Sequence, residues 1–161
     1  MNQALVNPEL VNRVERLQAD YVDCIDDERY ADWPGFFLEE CLYTIISRDN
    51  ARRGLPFGFL WCENRRMLRD RIASMKNANI YEPHTYRHVL GRTSVRPAEA
   101  GGWRARTSYM LARVMHDGGM DLFSTGAYED WIVEDEGTLR FREKRVVTDS
   151  GRIDALIVIP F

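Results

Sequence analysis

A chain of 161 residues with 45% hydrophobic and 29% charged side chains has the make-up of one ordinary globular domain, long enough to bury a full core without a covalent or metal staple. Its formal charge of −3 argues against a general nucleic-acid binder, which would gather positive charge along one face. Three cysteines, Cys24, Cys41 and Cys62, are an odd set without close spacing and argue against a disulfide framework.

The first ten residues hold neither a basic stretch nor an apolar one of the signal-peptide kind, and no apolar run approaches the ~20 residues that cross a bilayer. A reduced, cytoplasmic protein is expected. Lysine occurs only at Lys76 and Lys144, and every other side-chain cation is arginine, whose planar fork suits carboxylate pairs and interfaces.

"NPEL" opens a helix: Asn7 can cap, Pro8 fits the first turn, and Glu9 suits the positive end. Val11, Val14, Leu17, Tyr21 and Ile25 follow on one helical stripe, and the acidic "DDERY" ends it. In "ADWPGFF" Asp32 can cap a short helical turn whose Trp33, Phe36 and Phe37 are candidate core. "CLYTIIS" is β-branched and aromatic, hence a strand. "GLPFGFLW", Gly54 to Trp61, has the glycines and proline of a loop yet is almost wholly apolar. Exposed, it would mark a binding site. "ENRRMLRDRIASMKNAN" is an amphipathic helix with Leu68, Ile72 and Met75 on one face.

From Thr85 the texture becomes long strands: "TYRHVLGRTSVR", "WRARTSYMLARVMH", "MDLFSTGAYEDWIVE", "TLRFREKRVVTD" and "IDALIVIPF". The joins "DGG" at Asp117, "EDEG" at Glu134 and "DSG" at Asp149 predict an antiparallel meander. Strands beyond ~10 residues imply a strongly bent sheet, so the pattern predicts an α+β domain over residues 1–161, its N-terminal helices packed in the concave face of a long curved antiparallel sheet. Strict alternation in "FREKRVV" would put Arg140, Arg142 and Lys144 on one face and Phe141, Glu143 and Arg145 on the other. Charge on both faces points to a subunit contact or a solvated sheet. "LIVIPF" is apolar to Phe161 and is expected to dock, inside the fold or on a neighbour.

His84 and His88 stand at the i,i+4 spacing of helical metal sites. Pro83, Thr85, Tyr86 and Val89 favour a strand instead, where four residues span ~13 Å and chelation fails. His88 is then expected inside the concave face and His84 near the strand start. No glutamate follows His84, no cysteine has a nearby histidine, and neither a phosphate loop nor a nucleophile elbow occurs. No catalytic, cofactor-binding or metal-ligating residue is assigned.

"YADWPGFF", "YTIISRDN", "MLRDRIASMKNANIYEPHTYRHVLG", "FSTGAYEDWIV" and "LRFREKRVVTDS" follow in order along the chain. Together they resemble the small (beta) subunit of aromatic-ring-hydroxylating dioxygenases, of the terephthalate, anthranilate or salicylate oxygenase type. The most specific parts are Asp32–Trp33–Pro34, the "RDN" of Arg48 to Asn50, and the "YRH" of Tyr86 to His88. The resemblance implies a cystatin-like cone shared with nuclear transport factor 2 and scytalone dehydratase. It also implies a structural subunit in a three-plus-three hexamer with large subunits. Those carry the Rieske [2Fe-2S] cluster, the mononuclear Fe(II) and the substrate pocket; electrons come from NADH through a reductase, sometimes with a ferredoxin. Both centres together need four histidines, and this chain has three.

Candidate interface residues are Leu55, Phe57, Phe59, Trp61, Arg142, Arg145 and Phe161. The competing expectation is a stand-alone lyase or isomerase with His88, Tyr86 and Asp26 in the cone's cavity. A pure binding module sharing the fold ranks below both.

Overall fold

The computed structural model describes residues 6–77, 82–153, 157 and 159–161. Helix α1 spans Pro8–Asp26, started by the Asn7 side chain, which accepts the Glu9 N–H at 2.9 Å. Val14, Leu17, Tyr21 and Ile25 are buried along its stripe, joined by Gln18, Val22 and Cys24. Val11 is half-buried. Glu28, in the left-handed region at φ 59°, turns the chain away.

Trp33–Phe36 is a single 3-10 turn in which Asp32 sits at the cap position without a side-chain capping bond. Its carboxylate lies 3.7 Å from Arg29 instead. Strand β1 (Phe37–Ser47) leads into the short helix α2 (Arg48–Arg52), capped by Ser47. After the 54–59 loop come β2 (Leu60–Cys62) and α3 (Arg65–Asn77). The helix starts two residues later than its sequence pattern suggests, and Ala78 and Asn79 lie outside the described residues. Four long strands follow: β3 (His84–Pro97), β4 (Trp103–Met115), β5 (Met120–Asp135) and β6 (Thr138–Thr148).

The six strands form one sheet in the order β2-β1-β6-β5-β4-β3. The meander from β3 to β6 is antiparallel as expected, but β1 runs parallel to β6. The sheet is therefore mixed, because β1 arrives from the far end of the sequence rather than through a hairpin. The described residues of the expected fifth strand after "DSG" carry no strand. Ile153, Ile157 and Ile159–Phe161 are not in a strand, and Asp154–Leu156 and Val158 lie outside the described residues. Asp149 instead donates its backbone N–H to Thr125 as β6 ends.

Bulges bend the sheet. One lies at Arg142: Trp131 faces Glu143 while the next residue, Ile132, faces Phe141. This extra residue overturns the expected strict alternation. Phe141 and Lys144, three apart, both point into the concave core, while Glu143 and Arg145 stay on the outer face with Trp131. Tyr21 on α1 meets Phe36, Phe37, Tyr128 and Phe141 edge-on at 5.5–6.3 Å. These contacts hold the helix inside the curved sheet.

Candidate functional site

Tyr86 and His88 lie two apart on β3, so both side chains enter the concave face. Asp26, the last residue of α1, meets them there. One carboxylate oxygen lies 2.6 Å from His88 Nδ1, and the other accepts the His88 backbone N–H at 2.8 Å. In the neutral ring this contact keeps the proton on Nδ1 and leaves Nε2 as an acceptor. Nε2 is buried with no hydrogen-bond partner. Chemically this is the arrangement of a general base oriented by a carboxylate. His84 stands at the strand start, its Nδ1 2.9 Å from the Glu82 carbonyl.

The space in front of Tyr86 is taken by the chain itself. Tyr86 stacks on Phe123 at 5.6 Å, and Phe161 stands edge-on to both at 6.1 and 5.9 Å. The Tyr43 hydroxyl donates to the Phe161 carbonyl at 2.7 Å and accepts the Phe161 amide at 3.1 Å. Arg71 on α3 reaches the Ile157 carbonyl and pins the same segment. Phe161 is 0% exposed, so of its two expected dockings it takes the one inside its own fold. Burial raises the Tyr86 hydroxyl well above its ordinary pKa.

Deeper along β6, Lys144 is fully buried. Its Nζ lies 3.0 Å from Gln18 Oε1 and 3.3 Å from Asp130 Oδ2, and within 4.3 Å of the Tyr21, Tyr128 and Phe141 ring centres. Burial, opposed by Asp130, lowers the Lys144 pKa to about 8, and burial likewise raises that of Asp130. Neither Gln18 nor Asp130 was anticipated. Their signal is a polar residue within an apolar period, which reads equally well as a stripe edge.

Outside the sheet, the 54–59 loop folds over β1. Asn50 holds it, accepting the Leu55 amide at 3.0 Å and donating to the Phe57 carbonyl at 3.0 Å. Gly58 passes so close to β1 that a Cβ there would sit 2.4 Å from the Ile45 carbonyl oxygen. Leu55 is half-buried, whereas Phe57 is 70% exposed, with Phe59 and Trp61 also exposed. Leu60 and Trp61 belong to edge strand β2 rather than to the loop. Arg142 and Arg145 lie on the outer face, the first over the Trp131 ring at 4.9 Å and the second 3.8 Å from Glu129.

Donor chemistry for a metal is poor. No cluster of three His, Cys, Asp or Glu side chains able to hold a metal occurs among the described residues. Burial pushes the Cys24 and Cys41 thiols up to about 11, against the thiolate a cluster requires. These residues do not fit a Rieske centre or a mononuclear iron.

A family model described as SnoaL-like domain matches residues 9–145. The anthranilate 1,2-dioxygenase small subunit of Burkholderia cepacia is 37% identical over 89% of this chain and 89% of its own length. The beta 2 subunit of the terminal oxygenase component of terephthalate 1,2-dioxygenase from Comamonas sp is 37% identical over 94% of this chain and 99% of its own. The chain belongs to the small (beta) subunits of aromatic-ring-hydroxylating dioxygenases. A crystal structure assigned as a beta subunit of such a dioxygenase, from Novosphingobium aromaticivorans, superposes with a TM-score of 0.84. It is 31% identical, covering 94% of this chain and 96% of that one.

The three motifs behind the resemblance acquire physical roles in this small subunit. Trp33 of "DWP" is fully buried against Phe37 and Tyr43. "RDN" ties two places together, Arg48 to Asp149 at 3.0 Å and Asn50 to the apolar loop. "YRH" lines the cone with Tyr86 and His88, while Arg87 points outward, 3.9 Å from Asp26. The structure thus brings His88, Tyr86 and Asp26 to one place. It gathers Leu55, Phe57, Phe59 and Trp61 at another and removes Phe161 from the outer set.

Proposed function

We propose that this chain, as a single domain, is the structural small subunit of a Rieske non-haem iron oxygenase. It organises a three-plus-three hexamer with large subunits that oxygenate an aromatic, carboxylated ring using O2 and electrons from NADH, delivered by a reductase with or without a ferredoxin. The reading rests on the named relatives and on one observation: Phe123 and Phe161 pack on Tyr86, the ring that stands edge-on to His88 in the cone. Oxygen chemistry is then the work of the companion chain, which holds both iron centres. The exposed aromatics of the 54–61 segment and the outer-face arginines are the contact surfaces of this assembly. The complex is cytoplasmic; no helix among the described residues is long and apolar enough to cross a membrane.

Co-expression with the neighbouring large subunit tests the proposal. A hexamer whose activity depends on this chain is expected. A large subunit that is soluble and fully active alone would sink it.

The 2.6 Å His88–Asp26 contact favours a second reading, a stand-alone lyase or isomerase. It requires turnover by the purified chain alone, abolished by His88→Gln.

A further inference from the structure

The outer face of the sheet breaks a rule of strand pairing. Arg96 on β3 stands directly opposite Arg104 on β4, and facing like charges destabilise an antiparallel pair. One row along, Ser94, Arg106, Glu129, Arg145, Thr44 and Trp61 follow one another across all six strands. Two adjoining depressions of ≈ 680 and ≈ 340 Å³ lie over these rows, lined by Arg48, Arg52, Arg96, Arg104, Arg106 and Arg145.

Three carboxylates on this face are already engaged: Glu143 with Arg104 at 2.9 Å, Asp149 with Arg48 at 3.0 Å and Glu129 with Arg145 at 3.8 Å. The fourth lining carboxylate, Asp130, turns inward to Lys144. Six arginines against three outer carboxylates leave an excess of three positive charges, on a chain whose overall charge is −3. Arg52, Arg96 and Arg106 make no ion pair among the described residues.

The end of α1 breaks a rule of the opposite sign. Asp20, Asp23, Asp26 and Asp27 crowd its last turns with no basic residue in the final one, at the pole of the helix dipole that favours cations. Asp26 is turned in to His88, and Asp27 lies 3.8 Å from Arg29. Asp20, Asp23 and Glu28 are exposed and make no ion pair among the described residues.

We propose that these two ill-matched surfaces meet between copies of this chain: the acidic end of α1 in one copy docks in the arginine trough of the next. Guanidinium forks are suited to carboxylates, and each surface relieves the repulsion within the other. Helix α1 lies in the concave layer and the trough on the outer face, so the two cannot form one self-complementary patch. Copies join front to back, a heterologous contact that closes into a ring where the rotation permits. The contact deepens the small-subunit reading by naming how copies touch, and rests on it only in that copies share a complex.

Sedimentation of the full chain, with circular dichroism to confirm folding, tests the contact. Arg96→Glu with Arg106→Glu, or Asp20→Lys with Asp23→Lys, each weakens self-association by about tenfold or more. The chain carrying both pairs regains it, since every contact is again opposite in sign. High salt weakens the wild type. Folded chains in which the combined reversal stays as weak as either alone overturn the proposal, as does a wild type that never self-associates, alone or in the complex. If the trough reversal removes only capture of the large subunit, the occupant is that subunit. If it removes only citrate binding, the trough is a small-anion site. Either result overturns the copy-to-copy contact. Failure of the wild type to co-purify with any large subunit counts against the small-subunit reading, and self-association still decides the contact.

Discussion

Tyr43 and Phe161, 118 positions apart, make a reciprocal pair: one phenol hydroxyl donates to the carbonyl and accepts the amide of the same distant residue. The two bonds fix the segment that places the Phe161 ring against Tyr86 and Phe123. Phe161→Ala empties a fully enclosed position and is expected to cost about 3–5 kcal/mol. Tyr43→Phe strands two buried backbone groups and is expected to cost about 1–3 kcal/mol. Urea unfolding midpoints of the two variants measure both, and losses below about half a kcal/mol would show that the segment is not held as described.

Lys144→Met leaves Asp130 buried without its cation and is expected to cost about 3–5 kcal/mol. Adding Asp130→Leu is expected to restore most of that loss, because removing both charges also removes their desolvation. A double-mutant cycle by chemical denaturation checks it, and additive losses would refute the coupling.

Lys144 also sets an alkaline signature. Its folded pKa of about 8 lies below its ordinary 10.5, so between these values the unfolded chain binds more protons than the folded one. Stability attributable to Lys144 therefore rises with pH across that window and falls away as pH drops through about 8, with a limiting slope of about 1.4 kcal/mol per pH unit. The difference between wild type and Lys144→Met, measured from pH 7 to 10, is expected to show this rise. A flat difference rules it out.

His88→Gln and Asp26→Asn remove a buried charge-assisted contact and are expected to cost about 1–3 kcal/mol each. If the cone is structural, ring-oxygenating turnover per assembled complex stays unchanged in both. A large fall in turnover at full assembly would instead place the dyad in the chemistry.

Phe57→Ser with Phe59→Ser changes exposed rings on a loop held by backbone contacts, so the isolated chain keeps its unfolding midpoint. Assembly with large subunits is expected to weaken by about tenfold or more, as read by gel filtration of the co-expressed complex. Unchanged assembly rules the loop out as a contact.

The helical stripes, the four long strands and the inward-facing His88 were legible because each is a local pattern: a 3.6-residue period, a two-residue period, a turn signal. What escaped was set by partners distant in sequence. The parallel pairing of β1 with β6 leaves no trace near either strand, and "IDALIVIPF" has strand composition, yet its described end is fixed by the Tyr43 hydroxyl and by Arg71 rather than by a ladder. The Arg142 bulge inverts a two-residue count that is otherwise sound, and so turned Lys144 inward against expectation. The Asp26 contact was reachable only as a candidate list, since helix end and strand meet across 62 positions. The opposed arginines of β3 and β4 become visible only once the register is known.

The parallel seam also governs when the protein can fold. Strand β1 has two neighbours, the three-residue β2 and the C-terminal β6. Until some hundred further residues have left the ribosome, Tyr21, Trp33, Phe37 and Tyr43 have no Phe141 or Phe161 to cover them. Such a nascent half presents bare aromatic surface during synthesis, the stage at which aggregation competes with folding. Strand β6 joins β1 to the rest of the sheet, so a chain stopped before it would lack the strand that closes the cone.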